Sequence, residues 1–96
     1  MKHLMIATAF NADESRTKDA DGKDVDLLLE TPLKSNMEKQ LEQFKADAGR
    51  FNPAFLMISI STSAGNAVRR FYRYTFATGK QKAIGEEEFT TIMAHD

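Results

Sequence analysis

The feature that most constrains the fold is one amphipathic helix between two groups of alternating segments. Its apolar residues recur at intervals of four, three and four positions, at Met37, Leu41, Phe44 and Ala48, which places them on one helical face. Ser35 and Glu38 have the spacing of a capping box, and Gly49 is a favourable helix end. The sequence therefore predicts a helix over about 36–48 that packs on a sheet.

Two strands are predicted before this helix. Residues 4–10 alternate in hydrophobicity, and residues 23–30 alternate around Val25, Leu27 and Leu29, as expected of half-buried strands. Asp21-Gly22 between them is a favoured hairpin turn, and Pro32 ends the second strand. The pattern leaves open whether residues 11–18 extend this hairpin or form a mobile loop.

Three further strands are predicted after the helix, over residues 54–61, 67–77 and 80–84. Residues 86–94 begin with three glutamates and end the chain as a short helix, since acids favour a helix N-terminus. We therefore expect a single α+β domain over residues 1–96. Its mainly antiparallel sheet of four to five strands carries the amphipathic helix on one face and the C-terminal helix at one edge; a mixed sheet is the alternative.

Turn chemistry predicts which side chains of the segment RRFYRYTF, residues 69–76, share the apolar face of the sheet. A three-residue loop over 64–66, with glycine and asparagine, suits a hairpin and sets Ile58 opposite Tyr72. Val68, Tyr72, Tyr74 and Phe76 then face the core. Arg70 falls on the same side, where it reaches either the sheet edge or an acid of the helix.

The opposite face of the same strands is predicted to be basic. A two-residue turn at Thr78-Gly79 sets Arg73 opposite Ile84, and directly opposed residues share a face. The predicted outer face consists of Arg69, Phe71, Arg73, Lys80 and Lys82. Phe55 and Met57 flank it.

Charge is unevenly distributed along the chain, although the net charge is only −1. Residues 13–30 contain seven acidic and three basic side chains, whereas residues 51–85 contain five basic side chains and no acid. A partner of either charge could recognise such a chain. The alternative is that the arginines are solvated or pair across strands with Asp24 and Asp26.

Catalytic and metal chemistry finds little support in the sequence. There is no cysteine, which excludes thiolate ligands and thiol nucleophiles. His3 and His95 lack ligand spacing, and an EF-hand aligned on Gly22 lacks its terminal carboxylates. We expect no enzyme activity, no cofactor and no metal.

The location expected from the sequence is cytoplasmic. No run approaches the roughly 18–20 apolar residues of a membrane span, and the apolar run over 4–10 is short for a signal peptide. Absence of cysteine fits a reducing compartment. We expect neither secretion nor membrane association.

The function expected from these features is non-enzymatic binding. The chain is compatible with an accessory or inhibitor protein, of the kind common in phages and other mobile elements, that docks on a larger protein. The contact would be the charged-aromatic sheet face or the acidic first hairpin.

Two other binding functions stay open. The basic face could bind single-stranded nucleic acid, with Arg69, Arg73, Lys80 and Lys82 at phosphates and Phe71 stacked on a base. A homodimer could form through an unprotected sheet edge or through the patch of Phe55 and Met57.

Overall fold

The chain forms an α+β domain, as the sequence predicts. The computed structural model describes residues 2–64 and 66–94. Its strands are β1 (Lys2–Phe10), β2 (Asp26–Thr31), β3 (Phe55–Ala64), β4 (Asn66–Thr75) and β5 (Lys80–Ile84). Its helices are α1 (Lys34–Ala48), which continues as a short 3₁₀ turn at Gly49–Phe51, and α2 (Glu86–Met93).

The five strands form one antiparallel sheet in the order β2-β1-β3-β4-β5. β3 lies at its centre, so its apolar residues 55–58 are buried on both faces. β2 and β5 are the two edges. The mixed sheet is therefore not the arrangement found.

The amphipathic helix α1 covers one face of the sheet, as predicted. Its buried residues Met37, Leu41 and Ala48 pack on the sheet residues Met5, Ala7, Ala9, Leu56 and Ile58. The two fully buried alanines of β1 lie where the helix crosses it, because small side chains let a helix approach a sheet closely. α1 contacts β1 and β2 and extends little over the other strands.

The predicted capping box at the start of α1 is wrong. The helix begins at Lys34, its N-cap is Leu33, and no side chain caps it. The hydroxyl of Thr31 instead accepts hydrogen bonds from the Leu33 amide and from Asn36 Nδ2, each at 3.2 Å. Thr31 thus positions the start of α1, and Ser35 lies within the helix instead of capping it.

The C-terminal helix α2 lies across the other face of the sheet rather than at an edge. Phe89 and Ile92 bury a second apolar cluster that consists of Phe10, Phe55, Met57 and Phe71. This packing explains why both faces of the central strand are apolar. It also removes Phe55 and Met57 from the surface, so they form no exposed dimer patch.

The segment between β1 and β2 is an ordered loop with two isolated bridges. Phe10 bridges Arg16, and Lys18 bridges Asp24. A turn is present at the predicted place, but Ala20 and Asp21 are its central residues: the Gly22 amide donates to the Asp19 carbonyl at 3.1 Å. Gly22 has a φ of 79°, which glycine adopts at low cost.

Candidate partner-binding surface

The register of β3 with β4 is the one that the turn chemistry predicts. Ile58 lies opposite Tyr72, and Leu56 lies opposite Tyr74. The predicted loop over 64–66 contains Gly65, which lies outside the described residues. Tyr72, Tyr74 and Phe76 pack against the α1 side of the sheet, so the assignment of faces along β4 is confirmed for these rings.

The turn between β4 and β5 differs from the prediction. β4 ends at Thr75, which lies opposite Lys80, so the two-residue turn at Thr78-Gly79 is wrong. The Phe76 amide donates to the Ala54 carbonyl at 3.2 Å, and the Gly79 amide donates to the Thr75 carbonyl at 2.9 Å. These bonds take the chain out of the ladder two residues earlier than expected.

This shift leaves the predicted outer face intact. Arg73 lies opposite Lys82 instead of Ile84, and a displacement of two residues returns every side chain to the same face. Lys80 and Lys82 therefore lie on the face of Arg73, as the sequence predicts.

Four of the five predicted site residues form what we call the cationic surface, namely Arg69, Arg73, Lys80 and Lys82. Three of these side chains are exposed, and Arg73 is half-buried. The guanidinium of Arg73 lies 3.9 Å from the centre of the Phe55 ring, a cation–π contact that holds it against the sheet. The guanidinium of Arg69 lies 5.3 Å from the centre of the Phe71 ring.

The fifth predicted residue, Phe71, lies beneath this surface. Its ring is 4.7 Å from that of Phe89 on α2, and only 6% of the residue is exposed. A base or a partner side chain therefore has no direct access to it. The sequence prediction missed this burial because it placed α2 at an edge.

The cationic surface makes no ion pair among the described residues, although Glu86 of α2 lines a shallow pocket together with Arg69 and Phe71. Among residues 2–64 and 66–94, no ion pair involves any of its four cations or Arg70. Asp24 pairs instead with Lys18 and Arg16 of its own loop. Asp26 lies on β2, at the opposite edge of the sheet. Cross-strand pairing of these arginines with Asp24 and Asp26 is therefore not what the structure shows.

The acids of the first loop are used in building that loop. Asp13 Oδ1 accepts from the amide of Ser15 at 3.0 Å, and Asp19 Oδ1 accepts from the amides of Asp21 and Lys23 at 2.8 and 3.0 Å. Because these oxygens already serve backbone donors, the loop offers fewer free charges than its composition suggests.

Arg70 lines a groove of about 590 Å³ between α1 and the sheet. Leu41, Ile60 and Tyr72 form its apolar side, and Glu38 of α1 lies on the same lining. A helix about 10 Å wide covers roughly two strands spaced 4.8 Å apart, so one helix leaves part of five strands open. Arg70 thus faces a groove shared with a helix acid, without an ion pair to any described residue.

Other candidate chemistry is sparse in the described part of the chain. No three histidine, cysteine, aspartate or glutamate side chains gather there as metal ligands. His3 is buried with Nδ1 3.1 Å from Thr62 Oγ1; His95 lies outside the described residues. None of the helices within 2–64 and 66–94 is long and apolar enough to span a membrane.

Comparison with protein-family models, curated proteins and solved structures finds no match for this chain.

Proposed function

We propose that this protein is a non-enzymatic accessory or inhibitor protein that docks on an acidic surface of a larger protein. The contact is the cationic surface on β4 and β5. The observation that supports this proposal is that these cations lie on one face of the sheet, three of them exposed, without an ion pair to any described acid. Such a cluster can steer and orient an acidic partner.

The arrangement costs stability within the isolated fold. Arg73 and Lys82 are directly opposed on neighbouring strands, and like charges in that position destabilise a sheet. An acidic partner would relieve this repulsion and gain charge-assisted hydrogen bonds. The cluster is therefore understandable as a surface that is completed by binding.

Nucleic acid is the competing partner, because phosphates attract the same cations. Sequence-tolerant single-strand binders combine cations with exposed rings on which bases stack. On this face Phe71 is covered by α2 and Phe55 is 2% exposed beneath Arg73. The covered rings favour a protein partner.

Fluorescence anisotropy with three labelled probes tests the proposal: an oligoglutamate peptide, a single-stranded oligonucleotide and a duplex. Titrations at about 50 and 200 mM salt span the range over which phosphate contacts weaken steeply. The cationic variant carries Arg69→Glu, Lys80→Glu and Lys82→Glu. The matched control carries Lys23→Glu, Lys34→Glu and Lys39→Glu, an equal change of charge at exposed lysines elsewhere.

We expect salt-sensitive binding of oligoglutamate that falls by about tenfold or more in the cationic variant, since three surface charges each contribute roughly 0.5–1 kcal/mol. The matched control should lose much less. Tighter binding of the single-stranded oligonucleotide than of oligoglutamate would indicate that the partner is nucleic acid and not protein. Absence of binding to all three probes at low salt would contradict both functions.

A further inference from the structure

The two edge strands of the sheet differ in the features that discourage a further β-strand from pairing with them. β5 carries two lysines among its five residues, and edge lysines discourage the addition of another strand. β2 has no lysine. It presents Leu28 with 72% of the residue exposed, next to Leu4 with 37% exposed. β2 is thus an edge strand that has an apolar centre and no lysine.

The backbone of β2 offers a defined set of free hydrogen-bonding groups. The Ala9 amide donates to the Val25 carbonyl at 2.9 Å, and antiparallel ladders bond alternate residues on each side of a strand. The amides and carbonyls of Asp26, Leu28 and Glu30 therefore point away from β1. Among the described strands β2 has no neighbour other than β1.

We propose that β2 is the interface of a symmetric homodimer, in which it pairs antiparallel with β2 of a second copy. The twofold axis passes at Leu28, which sets Leu28 of the two copies opposite each other. Leu27 of one copy then lies opposite Leu29 of the other. The two sheets join into one continuous sheet, with both α1 helices on the same face.

A second copy of this chain fits the free edge of β2 because that edge is self-complementary. The outward groups lie at alternate positions on both sides of Leu28, so one twofold register matches all of them. The same operation applied to β5 sets Lys82 against Lys82 at the centre of its fully overlapped register, where like charges are destabilising. On β2 the central contact is between two leucines, so β2 is better suited to isologous pairing.

The flank of α1 above β2 also fits a second copy. Asn36 bonds Thr31 of β2, so the side of the helix with Asn36, Gln40 and Gln43 lies towards this edge. Asn36 and Gln40 are uncharged amides that can bond each other across the axis, whereas Gln43 already donates to Asp47 Oδ1 at 3.1 Å. The charged flank, with Lys45 over the Tyr74 ring at 4.4 Å, lies on the other side.

Two symmetry-related charge contacts oppose the dimer and make its affinity adjustable by substitution. The proposed register sets Asp26 of each copy opposite Glu30 of the other. Lys2 already pairs with Glu30 at 3.0 Å, which offsets part of the repulsion. The Asp26→Asn variant should therefore dimerise more tightly, by roughly 2- to 30-fold for two contacts relieved.

A cysteine scan tests the register directly, since the chain has no cysteine. Opposed residues of a hydrogen-bonded antiparallel pair have Cα atoms about 5.5 Å apart, within the range of a disulfide. Leu28→Cys should cross-link nearly completely under mild oxidation. Val68→Cys is the matched control, because Val68 is 49% exposed on β4. Equal cross-linking of the two variants would overturn the proposal.

Sedimentation equilibrium tests the interface without cross-links. The wild type should reach twice its mass of 10.8 kDa with rising concentration, and Leu28→Lys should stay monomeric with an unchanged circular dichroism spectrum. A wild type that stays monomeric at all accessible concentrations overturns the dimer, as does a dimer that Leu28→Lys leaves intact. The cationic surface lies at the other edge, so these outcomes are independent of the proposed partner.

Discussion

The acidic first loop and the cationic strands β4 and β5 are both charge clusters, but the loop acids bond groups inside the fold, whereas the lysines of β5 do not. Asp19 bonds two backbone amides, and Asp24 pairs with Lys18 and Arg16. Lys80 and Lys82 have no such partner among the described residues. The distribution of charge along the sequence does not distinguish the loop from the strands. The hydrogen bonds and ion pairs that these charges make within the fold do distinguish them.

The loop acids therefore stabilise the fold, whereas the cationic surface on β4 and β5 is the site that we propose for binding. Substitutions in the loop should therefore lower the free energy of unfolding. Substitutions of the exposed lysines Lys80 and Lys82 should leave that free energy nearly unchanged and affect association instead. Phe71 is the instructive exception, because it lies in β4 between two cations and belongs to the core.

The largest effect is expected for Phe71→Ala. The ring is buried against Phe89, and deleting a buried phenylalanine ring typically costs about 3–5 kcal/mol. Urea denaturation followed by circular dichroism measures the loss. Val68→Ala, at a valine of β4 that is 49% exposed, is the control and should change stability little. A loss below about 1 kcal/mol for Phe71→Ala would mean that α2 does not pack on β4.

Arg16→Ala should cause the second-largest loss of stability, because Arg16 connects the first loop to α2. Its Nη2 donates to the Met93 carbonyl at 2.7 Å, its guanidinium lies 5.5 Å from the Phe10 ring centre, and Asp24 is 4.0 Å away. Loss of a charged hydrogen bond costs about 1.5–3 kcal/mol. Urea denaturation should show this loss, and hydrogen exchange should show earlier opening of α2. Equal exchange in α2 of both proteins would refute this connection.

Asp19→Ala should cost about 1 kcal/mol, because two backbone amides lose their acceptor. Asp21→Ala is a matched control in the same turn, since the Asp21 carboxylate makes no hydrogen bond that is shown within the described residues. Thermal denaturation of the two variants compares them at equal net charge. Equal melting temperatures would remove the structural role assigned to the loop acids.

The smallest effect is expected for Lys80→Gln with Lys82→Gln. Stability should stay within about 0.5 kcal/mol of the wild type, with a slight gain where the repulsion of Arg73 by Lys82 is relieved. The same urea titration measures it. A loss above about 1 kcal/mol would show that these lysines have internal partners after all.

Much of the fold follows from sequence patterns, because the patterns are redundant. The face of Lys82 is predicted correctly from the wrong turn, since any even shift preserves it. The register of Ile58 with Tyr72 follows from matching apolar faces on both strands. The start of α1 could not be predicted from the sequence, because the hydroxyls of Thr31 and Ser35 are both candidates for bonding groups near the helix start. In the structure Thr31 makes these hydrogen bonds.

The burial of Phe71 could not be predicted with the same certainty. The apolar side of α2, with Phe89 and Ile92, requires a cover, but local sequence does not say which surface supplies it. A sheet whose central strand is apolar on both sides needs two covers, and α1 provides only one. That signal, present in the uninterrupted apolar run of residues 55–58, places α2 opposite α1.

The most direct test of the account is differential affinity capture from native lysate. Wild type, the cationic variant and the matched control serve as baits, and quantitative mass spectrometry compares what each retains. We predict at least one acidic protein that wild type and the matched control retain and the cationic variant loses. If all three baits retain the same proteins, the cationic surface is not where this protein binds its partner.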